Sequence, residues 1–594
     1  MCGIAGYLGY SPARSILLTM LSRLEYRGYD SCGIAVQGSP LRVFKDTLRV
    51  QELANSVPDD ISGTIGIGHT RWATHGEITQ PNAHPHVDCS GNIAVVHNGI
   101  IVNYQELRSE LISEGHVFSS ETDTEVIAHL IEKHYRGILE EAVTHATAEL
   151  NGSWAILVVA AHEHKLVAAR EKAPVVIGLG ENEYVIASDA PTLAGHVTSV
   201  IYLEDGDVAA ICDSGLGITN KGQGVLRTPQ AISQKTTTSG KNGFEHHTLK
   251  EIYEQPDVLR RILPLSLTDK SVLGWPPSLF LEASGSIDII ACGSSYHAGL
   301  VGKHVIENLL DIPVSVIVAS EYALRRAPRP SLAVVITQSG ETADVLAAAR
   351  YTRGLGVPTL AITNTPHSSI LTMVDQILPI GAEQEVGAAA TKTYTAQLAA
   401  IFRLVLSSPR LKPLARDMFA NGLVQLPGMV SRVCIMSSVI ETCARFVANY
   451  ERVFIIGRGV NLPTAHEGAL KLKELAYIHA EGYAAGELKH GPFALLDKNT
   501  PVIAILADDE TRRATLSSIH EVITRRAPLV VFSEDSYDVA TKLCDFVIPL
   551  PRASYPFSAV INAVALQLLA YHAAKYRQCP IDFPRNIAKS MTIE

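Results

Sequence analysis

The chain reads Leu332-Ala-Val-Val-Ile336 and then Thr337-Gln-Ser-Gly-Glu-Thr342, before an alanine- and leucine-rich segment at residues 343–350. A short apolar run bounded by turn residues predicts a buried strand, and the segment after the turn predicts a helix. The same order of strand, turn and helix recurs at three other apolar runs, at residues 287–291, 453–456 and 502–506. Strands that alternate with helices are typical of α/β domains with a parallel sheet.

Two of these strands are followed by turns that look like copies of one unit. The turns read Cys292-Gly-Ser-Ser-Tyr296 in the first copy and Gly457-Arg-Gly459 in the second. We therefore predict two tandem α/β domains with parallel sheets, at about residues 285–410 and 450–580. In such sheets ligands bind at the carboxyl ends of the strands, so we expect binding residues in these turns.

Residues up to about 210 have a different pattern, with short β-rich runs separated by turn residues. The runs lie at residues 63–68, 92–96, 154–160 and 175–177, and helices are predicted at residues 13–25 and 121–135. This pattern predicts mixed sheets with a few flanking helices. Residues 214–243 are rich in Gly, Ser, Thr and Lys, which we interpret as a linker.

The composition is that of a compact globular protein, with 47% hydrophobic and 19% charged residues among 594. The net charge of −10 argues against non-specific binding to nucleic acid and to anionic membranes. Nine cysteines are scattered without a Cys-x-x-Cys pair, so we expect neither a disulfide framework nor a zinc site. No apolar run approaches the ~18–20 residues that span a bilayer, and the N-terminus lacks the pattern of a signal peptide. We therefore expect a cytoplasmic protein.

Cys2 follows the initiator methionine, and a second residue this small allows Met1 to be removed. The α-amine of an N-terminal cysteine has an ordinary pKa near ~7.7–8.0 and its thiol one near ~8.5. The amine can therefore accept the thiol proton without a histidine partner, which predicts an N-terminal nucleophile. The alternative is a buried cysteine without chemical function.

Three more segments carry candidate groups for the same site. The run His69-Thr-Arg-Trp-Ala-Thr-His-Gly76 includes Arg71, whose fork suits a carboxylate, and two histidines without a third ligand at metal spacing. Asn98 and Gly99 follow an apolar run and could form an oxyanion hole, although an Asn-Gly pair is also a common hairpin turn. Asp123 lies at the head of a predicted helix, where capping is the alternative role.

These segments, with Cys2-Gly-Ile4, Arg27-Gly-Tyr-Asp-Ser31 and Ser120-Glu-Thr-Asp123, occur in the order seen in class II glutamine amidotransferases, and residues 1–210 resemble that family. The resemblance implies a layered α/β fold of the N-terminal-nucleophile type, in which Cys2 attacks the glutamine amide and releases ammonia. It implies that Asn98 and Gly99 hold the oxyanion. It also implies a glutamine-binding set of Arg71, Trp72, Thr74, His75 and Asp123. Cys32 stands where the family usually has alanine, and we expect it to be buried without function.

The turn at residues 337–342 offers hydroxyls and backbone N–H groups at the start of a predicted helix. Such groups bind anions, and phosphate is the expected ligand. Ordinary capping by Ser and Thr is the alternative. The run Cys292-Gly-Ser-Ser295 would add a hydroxyl to the same pocket. No G-x-x-x-x-G-K-[ST] sequence occurs, so a nucleoside triphosphate is not expected.

The C-terminal part has three further candidates. Lys471 and Glu474 lie three residues apart on one face of a predicted helix, where a surface ion pair is the alternative. The run Tyr483-Ala-Ala-Gly-Glu-Leu-Lys-His490 contains glycine and a single histidine, which indicates an active-site loop. Lys589 lies in a terminal segment that is ordinarily frayed and solvated.

Taken together, these segments resemble the glutamine–fructose-6-phosphate aminotransferase (isomerizing) family over essentially the whole chain. The resemblance implies two tandem sugar-isomerase domains and a glutamine-dependent conversion of fructose 6-phosphate to glucosamine 6-phosphate. It implies that Lys589 forms a Schiff base with the sugar, that Glu474 moves a proton with Lys471 nearby, and that His490 assists ring opening. The implied phosphate-binding residues are Ser295, Thr337, Gln338, Ser339 and Thr342.

The resemblance also implies a division into domains. These are a glutaminase domain at residues 1–213, a linker at 214–243, sugar-isomerase domains at 244–425 and 426–580, and a catalytic tail at 581–594. L-glutamine and fructose 6-phosphate would bind without a metal or an organic cofactor, and ammonia would be channelled between the two sites in a passage gated by Trp72. A homodimer is implied, and neither nucleic acid nor a membrane is an expected partner.

Three residues depart from the family pattern. Thr337 replaces a usual Ser, Ala390 stands where a sugar-facing Ser is usual, and Phe583 replaces a usual Gln. Ala390 and Phe583 leave open a relative that aminates another keto-sugar phosphate. A non-catalytic sugar-phosphate sensor with a residual glutaminase domain is the remaining alternative. It is disfavoured by the presence of Cys2, Asn98, Glu474, His490 and Lys589.

Overall fold

The computed structural model of the chain describes residues 2–231, 240–263, 280, 285–365, 368–534 and 543–589. These residues divide into two compact units, the first built from residues up to 231 and the second from the described residues between 240 and 589. Part of the predicted linker, residues 232–239, and the end of the predicted tail, residues 590–594, lie outside the described residues.

The first unit contains strands and helices that alternate irregularly along the chain. In chain order they are β1 (Gly3–Leu8), α1 (Ala13–Leu24), β2 (Ser31–Val36), β3 (Arg42–Asp46), α2 (Val50–Ser56), β4 (Ile65–Arg71), β5 (His86–Val87), β6 (Ile93–Ile101), α3 (Tyr104–Ser113), α4 (Glu125–His134), α5 (Leu139–Glu149), β7 (Gly152–Ala160), β8 (Glu163–Glu171), β9 (Val176–Leu179), β10 (Tyr184–Ala187), α6 (Ala190–Leu193), β11 (Ser199–Tyr202), β12 (Asp207–Cys212), β13 (Gly215–Asn220), β14 (Gln223–Gly224) and β15 (Gln230–Ala231).

Two sheets of the first unit pack face to face. Their strand orders are β15-β11-β9-β10-β1-β4-β2-β3 and β14-β13-β12-β8-β7-β6-β5. The facing sides share one core, to which Ile4 and Ile67 contribute from the first sheet and Val96 and Leu157 from the second. The outer face of the first sheet packs against α1, and that of the second against α4 and α5. The unit therefore has the layered α/β arrangement that the sequence predicts.

The sheets differ from the mixed sheets expected from the sequence, because the paired strands of this unit run antiparallel. The strands predicted at 63–68, 92–96, 154–160 and 175–177 correspond to β4, β6, β7 and β9. The helix predicted from residue 121 begins only at Glu125. The reason is local: the carboxylate of Glu125 accepts hydrogen bonds from the backbone N–H groups of Ser119 and Ser120, both at 2.7 Å, and this holds the preceding residues in a turn.

Residues 215–231, which composition assigned to the linker, form three strands of the first unit. β13 pairs with β12, β14 pairs with β13, and β15 pairs with β11. Ile218 of β13 is buried in the core between the two sheets. Composition alone missed these strands, because an antiparallel edge hairpin can be rich in Gly and Thr as long as a few apolar side chains face inward.

In the second unit strands and helices alternate regularly, as the pattern of strand, turn and helix at residues 332–350 predicts. In chain order its elements are α7 (His247–Ile262), β16 (Ile287–Ala291), α8 (Gly293–Leu310), β17 (Val314–Val318), α9 (Ala319–Tyr322), β18 (Leu332–Thr337), α10 (Ala343–Gly354), β19 (Thr359–Thr363), β20 (Gln376–Pro379), α11 (Lys392–Ser407), α12 (Pro413–Ile435), α13 (Ser437–Val447), β21 (Arg452–Gly457), α14 (Asn461–Ala476), β22 (His479–Ala484), β23 (Val502–Leu506), α15 (Arg512–Thr524), β24 (Leu529–Ser533), β25 (Phe546–Pro549) and α16 (Ser558–Tyr576).

The two sheets of the second unit have the same topology. Their strand orders are β17-β16-β18-β19-β20 and β22-β21-β23-β24-β25, and the strands in each run parallel. This confirms the two tandem α/β domains predicted from the repeated strand, turn and helix. In each sheet the order reverses beside the first strand, so the carboxyl ends of β16 and β18 border one crevice and those of β21 and β23 border another.

One continuous core joins the two halves of this unit. The ring of Phe402 on α11 packs edge-on against Phe557, which precedes α16, with 5.5 Å between ring centroids. Gln255 Nε2 on α7 donates to Gln567 Oε1 on α16 at 2.9 Å. Among the described helices, none is by itself long and apolar enough to cross a membrane. The pair α12 and α13, bent by 58°, passes a test of length and composition when the two are taken together.

Two glycines of α12 provide a test of this packing. A Cβ added at Gly422 would lie 2.1 Å from a ring carbon of Phe557, whereas one added at Gly428 meets no atom within 4 Å. We expect Gly422→Ala to lower the free energy of unfolding by about 1–3 kcal/mol through overpacking. Gly428→Ala should raise it by up to about 1 kcal/mol, since alanine favours a helix. Urea midpoints of the two variants measure the difference, and equal shifts would contradict the close contact.

Candidate active sites

Cys2 owes its position to the pairing of β1 with β4. In this antiparallel register Gly3 faces Thr70 and Ile4 faces His69, which brings Cys2 beside the end of β4. The backbone N–H of Trp72 donates to Cys2 Sγ at 3.3 Å, and the cysteine is only 8% exposed. Burial raises the pKa of the thiol. The thiol is therefore protonated at neutral pH and needs a base before it can act as a nucleophile.

Asn98, near the end of β6, is held with its amide nitrogen toward Cys2. Its Nδ2 donates to the carbonyl oxygen of Cys2 at 3.1 Å and to Ser188 Oγ at 2.9 Å. Its Oδ1 lies 3.1 Å from His69 Nε2, which also lies 2.9 Å from the carbonyl oxygen of His97. Burial lowers the pKa of His69 to about 3, so the ring is neutral. Because a carbonyl oxygen can only accept, the proton lies on Nε2, and this ring fixes the orientation of the Asn98 amide.

Gly99 follows Asn98 in a backbone conformation that favours glycine, with φ of +133°. A Cβ at this position would lie 1.9 Å from the carbonyl oxygen of Ser153 on β7. The Asn-Gly pair is therefore not the tip of a hairpin, since both residues lie inside the ladder between β6 and β7. The close approach of the two strands requires glycine here.

The predicted glutamine-binding residues lie around the same point. Arg71 is buried, and its guanidinium donates to the carbonyl oxygens of Glu77 at 3.2 Å, of Gly76 at 3.3 Å and of His75. Asp123 is buried, and its Oδ2 accepts from the backbone N–H of Ile101 at 2.9 Å. Both lie near enough to act on the Cys2 thiol. Burial raises the pKa of this thiol, the charge of Arg71 opposes that rise, and the charge of Asp123 adds to it.

The loop after β4 carries the remaining predicted residues of this site. The ring of Trp72 packs edge-on against Tyr29 at 5.6 Å between centroids, and the ring of His75 packs edge-on against Tyr104 at 5.2 Å. Thr74 is exposed, and its Oγ1 lies 3.4 Å from His75 Nδ1. The guanidinium of Arg71, through its hydrogen bonds to the carbonyl oxygens of residues 75–77, connects this loop to the end of β4. The sequence did not indicate this role.

A buried ion pair next to Cys2 was also missed from the sequence. Arg27 Nη1 lies 2.9 Å from Asp189 Oδ2, and both side chains are nearly inaccessible to solvent. Arg27 Nε donates to the carbonyl oxygen of Cys2 at 3.3 Å. Arg27 belongs to one of the runs that carry the family resemblance, but its partner lies 162 residues away, where no sequence spacing points to it.

In the second unit, the loop after β18 collects the hydroxyls predicted to bind phosphate. Thr337 Oγ1 and Thr342 Oγ1 lie 3.2 Å apart, and the backbone N–H of Gly340 donates to Thr337 Oγ1 at 3.1 Å. Ser339 Oγ accepts from the N–H of Glu341 at 3.1 Å. The backbone oxygen of Gln338 accepts from the N–H of Asn364 at 3.1 Å. The loop leads into α10, and the dipole at the start of a helix favours an anion.

Ser295 lies on α8 at the carboxyl end of β16, across the switch point from this loop. Its hydroxyl accepts from Gln397 Nε2 of α11 at 3.0 Å, a partner the sequence did not indicate. The neighbouring Ser294 and His297 contact Glu467 of α14, at 2.9 Å and 2.8 Å. These contacts join the two sugar-isomerase halves at the candidate site.

Lys471 and Glu474 form a pair on α14, with 2.5 Å between Nζ and Oε2. Lys471 Nζ also lies 3.4 Å from Glu467 Oε1, and the Lys471 side chain is completely buried. Burial alone would lower the pKa of Lys471, but the charges of Glu467 and Glu474 outweigh it and raise that pKa. The pair is therefore a buried cation between two carboxylates, and the alternative of a surface ion pair is wrong.

Lys589 is buried at the end of the described chain, where its Nζ pairs with Glu385 Oε2. Glu385 also accepts from the backbone N–H of Thr391 at 2.9 Å and from Thr393 Oγ1 at 2.6 Å. Burial opposes ionisation of Glu385, but Lys589 and the hydrogen bonds lower its pKa to about 2. The pKa of the neighbouring Glu251 is raised to about 8 by burial and by the charge of Glu385. The lysine is therefore not frayed, and its partner Glu385 is a residue of the candidate site that the sequence did not indicate.

Asp582 holds the segment before Lys589 in place. Its carboxylate accepts from the backbone N–H groups of His247 and Thr248, both at 2.9 Å, at the start of α7. Its carbonyl oxygen accepts from the N–H of Ala388 at 3.1 Å. Ala390 and Phe583, two of the residues that differ from the family pattern, therefore lie on segments that contact each other.

His490, which is predicted to assist ring opening, ends a short 3-10 helix, Ala485–His490, and is exposed.

Comparisons with known proteins agree with this architecture. A family model described as the SIS domain matches residues 280–407 and 446–576, and one described as a glutamine amidotransferase domain matches residues 69–195. Over 100% of both chains, this protein is 44% identical to one from Halobacterium salinarum named glutamine–fructose-6-phosphate aminotransferase (isomerizing). The chain belongs to the glutamine–fructose-6-phosphate aminotransferase family.

Another member of the glutamine–fructose-6-phosphate aminotransferase family matches the whole chain, and a solved domain from the family matches part of it. The one from Gloeobacter violaceus is 44% identical over 100% of both chains. The solved C-terminal domain of glucosamine-fructose-6-phosphate aminotransferase from Francisella tularensis is 37% identical, with a TM-score of 0.54. It is covered completely and corresponds to 58% of this chain. The amidotransferase domain and the two sugar-isomerase domains predicted from the sequence are thereby confirmed.

The pair of Lys589 with Glu385 predicts a measurable change in the tail. Loss of one partner of a buried ion pair costs about 3–5 kcal/mol. In Glu385→Gln we therefore expect trypsin to cleave after Lys589 at least roughly 100-fold faster, since cleavage follows the population of the opened tail. Glu383→Gln is the control, because Glu383 is exposed and lies 3.6 Å from Arg261 on the surface. Intact mass over time measures cleavage, and equal rates in both variants would refute the anchoring role.

Proposed function

We propose that this chain converts L-glutamine and fructose 6-phosphate into glutamate and glucosamine 6-phosphate. The observation that carries the proposal is a buried thiol beside an oriented amide in the first unit, together with two buried, carboxylate-paired lysines in the second. A thiol of this kind suits cleavage of an amide, and a lysine suits attack on a ketone. The water used to hydrolyse the amide is balanced by the water lost when the C2 carbonyl becomes an imine.

The first half-reaction takes place at Cys2. With Met1 removed, the new α-amine takes the thiol proton and Sγ attacks the carboxamide carbon of glutamine. Asn98 Nδ2, which in the structure donates to the carbonyl oxygen of Cys2, and the N–H of Gly99 would stabilise the oxyanion. The amine passes its proton to the departing nitrogen, which leaves as ammonia. Water then hydrolyses the thioester and gives glutamate.

Glutamine would be oriented by its two charged ends. Asp123 supports the proposal as the partner of the substrate ammonium, since it is a buried carboxylate near Cys2. Arg71 would bind the substrate carboxylate in exchange for one of the loop carbonyls that it now contacts. Such an exchange would couple glutamine binding to the loop that carries Trp72, Thr74 and His75.

The second half-reaction would take place beside Lys589. The sugar phosphate would lie on the hydroxyls of Thr337, Ser339 and Thr342 at the start of α10, with Ser295 and Gln338 beside it. His490 would assist ring opening of the sugar. Lys589, once deprotonated, would form a Schiff base with C2, which ammonia then displaces. Glu251, whose pKa of about 8 lies near neutral pH, is a group of the same cluster that can exchange a proton.

Isomerisation then needs a base that moves a proton from C1 to C2. Glu474 suits this role, because its carboxylate lies at the edge of a buried cluster and is still 17% exposed. Lys471, fixed as an ammonium by Glu467 and Glu474, would stabilise negative charge on the sugar oxygen. Transfer of the proton to C2 converts the ketose imine into the amino aldose, and no electrons are gained or lost overall.

We also propose that the protein acts in the cytoplasm and as a homodimer. All nine cysteines are free thiols, which fits a reducing compartment. The homodimer is supported by the family resemblance. Domain boundaries at residues 213, 243, 425 and 580 are proposed on the same ground, with two exceptions. Residues 215–231 are strands of the first unit, and residue 425 lies inside the helix Pro413–Ile435, which a boundary there would divide.

The proposed reaction can be tested with glutamine labelled with ¹⁵N in its amide. With fructose 6-phosphate we expect labelled glucosamine 6-phosphate, and added unlabelled ammonium should not dilute the label if ammonia is transferred without release. A panel of other keto-sugar phosphates tests the alternative motivated by Ala390 and Phe583. Product from another sugar and none from fructose 6-phosphate would overturn the proposed substrate. Glutamate without any amino sugar would leave only the glutaminase half.

Two variants should separate the half-reactions. Cys2→Ala is expected to abolish glutamine hydrolysis and glutamine-dependent synthesis, whereas Cys32→Ala, which alters another buried cysteine of the first unit, should retain both. Lys589→Arg is expected to abolish amino-sugar formation and to retain glutamine hydrolysis, because a guanidinium stays charged and cannot form the Schiff base. Glutamate and glucosamine 6-phosphate are measured for each variant. Normal synthesis by Lys589→Arg would refute the Schiff-base role.

A further inference from the structure

Four side chains of the first unit converge at a point that the proposed reaction does not use. They are Cys89, His116, His129 and Glu132, and we call them the Cys89 cluster. Cys89 Sγ lies 3.7 Å from His116 Nδ1 and 3.5 Å from His129 Nδ1. Glu132 Oε2 lies 2.9 Å from His116 Nδ1 and 3.1 Å from His129 Nδ1. One ligand atom of each residue lies within 4.8 Å of all the others.

These distances are close to the edges of a metal-centred tetrahedron. Zinc binds cysteine sulfur at about 2.3 Å and nitrogen or oxygen at about 2.0–2.1 Å, so tetrahedral geometry places sulfur and nitrogen about 3.6 Å apart and nitrogen and oxygen about 3.4 Å apart. The two sulfur–nitrogen distances of the cluster match this value, and the two nitrogen–oxygen distances are a few tenths of an ångström shorter. A metal ion could therefore enter with small side-chain shifts.

Further polar groups surround two of the four side chains, His129 and Cys89. His129 Nε2, the nitrogen that faces away from the cluster, lies 3.8 Å from Glu125 Oε1. Glu125 is itself fixed by the hydroxyls of Ser119 and Ser120, at 2.8 Å and 2.6 Å. A carboxylate that accepts from the outer nitrogen of a ligating histidine orients the ring, and Glu125 lies just beyond hydrogen-bond distance of that nitrogen. The backbone N–H of Val117 lies 3.4 Å from Cys89 Sγ and can support a thiolate.

We propose that the Cys89 cluster is a structural zinc site. Thiolate, imidazole and carboxylate are the ligand types that zinc takes in proteins, and the thiolate disfavours calcium and magnesium, which prefer oxygen. All four positions are filled by the protein, which is the arrangement of a structural site rather than a catalytic one. Zinc replaces the thiol proton and any proton shared between the histidines and Glu132, so its binding releases protons.

The site would tie together three segments of the first unit. Cys89 lies in the turn between β5 and β6, His116 follows α3, and His129 and Glu132 lie on α4. The residues just before α4 include Asp123, which accepts from the backbone N–H of Ile101 on β6, two residues after Gly99. Bound zinc would thus fix α4 against the strand that carries the candidate oxyanion hole.

The sequence predicts no zinc site, because it has no Cys-x-x-Cys pair and because His69 and His75 have no third ligand at metal spacing. The four ligands of the cluster come from three separate segments, and only His129 and Glu132 show a helical spacing in the sequence. The fold brings the other two to them, so no local motif could have predicted the site.

Metal analysis of the purified full chain tests the proposal. After incubation with zinc and removal of excess metal, we expect about one zinc per chain, together with a rise in unfolding temperature of at least about 4 °C. Cobalt(II) in place of zinc should produce a thiolate-to-cobalt charge-transfer band and the visible bands of tetrahedral cobalt. Cys89→Ala and His116→Ala should lose the thiolate band and the thermal shift. Cys89 is exposed and His116 half-buried, so both variants are expected to fold.

Two controls separate this site from other thiols. Cys212→Ser removes a half-buried cysteine of the same unit whose sulfur lies 3.0 Å from Ser214 Oγ, and it should retain the metal. Cys2→Ala should also retain it, which distinguishes the cluster from binding at the candidate nucleophile. Wild-type protein that holds no more zinc than Cys89→Ala would overturn the proposal. So would a cobalt band that survives Cys89→Ala and disappears in Cys2→Ala. Since metal content is the readout, these outcomes do not depend on the proposed reaction.

Discussion

Each candidate site is held by a buried ion pair, Arg27 with Asp189 in the first unit and Lys589 with Glu385 in the second. A buried charge without its partner costs several kcal/mol, whereas a surface pair contributes about 0–1 kcal/mol. Arg27 reaches the carbonyl oxygen of Cys2, and Glu385 receives the last described residue of the chain. Cys2 and Lys589 are thereby held in place within the two candidate sites. The local order of both sites depends on these pairs.

Sequence patterns could predict what is local in the chain. The apolar run before Thr337 and its Gly/Ser turn are enough to predict a parallel strand, a turn and the helix that follows, and the structure has all three. That the turn binds phosphate stays a prediction. What the patterns missed is set by distant partners. Glu385 lies 204 residues from Lys589, and Gln397 lies 102 residues from Ser295. No spacing rule connects residues that meet only because the chain folds back.

In the predicted linker the composition of the segment was a wrong guide to its structure. Residues 215–231 have the composition of a flexible segment, and yet they complete both sheets of the first unit at their edges. Antiparallel pairing uses backbone groups that every non-proline residue has, so a few inward-facing side chains such as Ile218 are enough to hold the strands. Composition measures the average polarity of a segment, whereas pairing depends on which of its side chains face inward.

Because the two halves of the second unit share one core, a change in one half affects the packing of the other. Glu467 of one half binds Ser294 and His297 of the other, and the helix Ser558–Tyr576 is buried on nearly every side. The two halves are therefore not modules that evolution or an engineer can exchange one at a time. Loops at the strand ends are free to diverge and to take up different substrates. A change on a buried helix of one half, in contrast, demands a matching change in the other, so the duplicated halves must evolve as a pair.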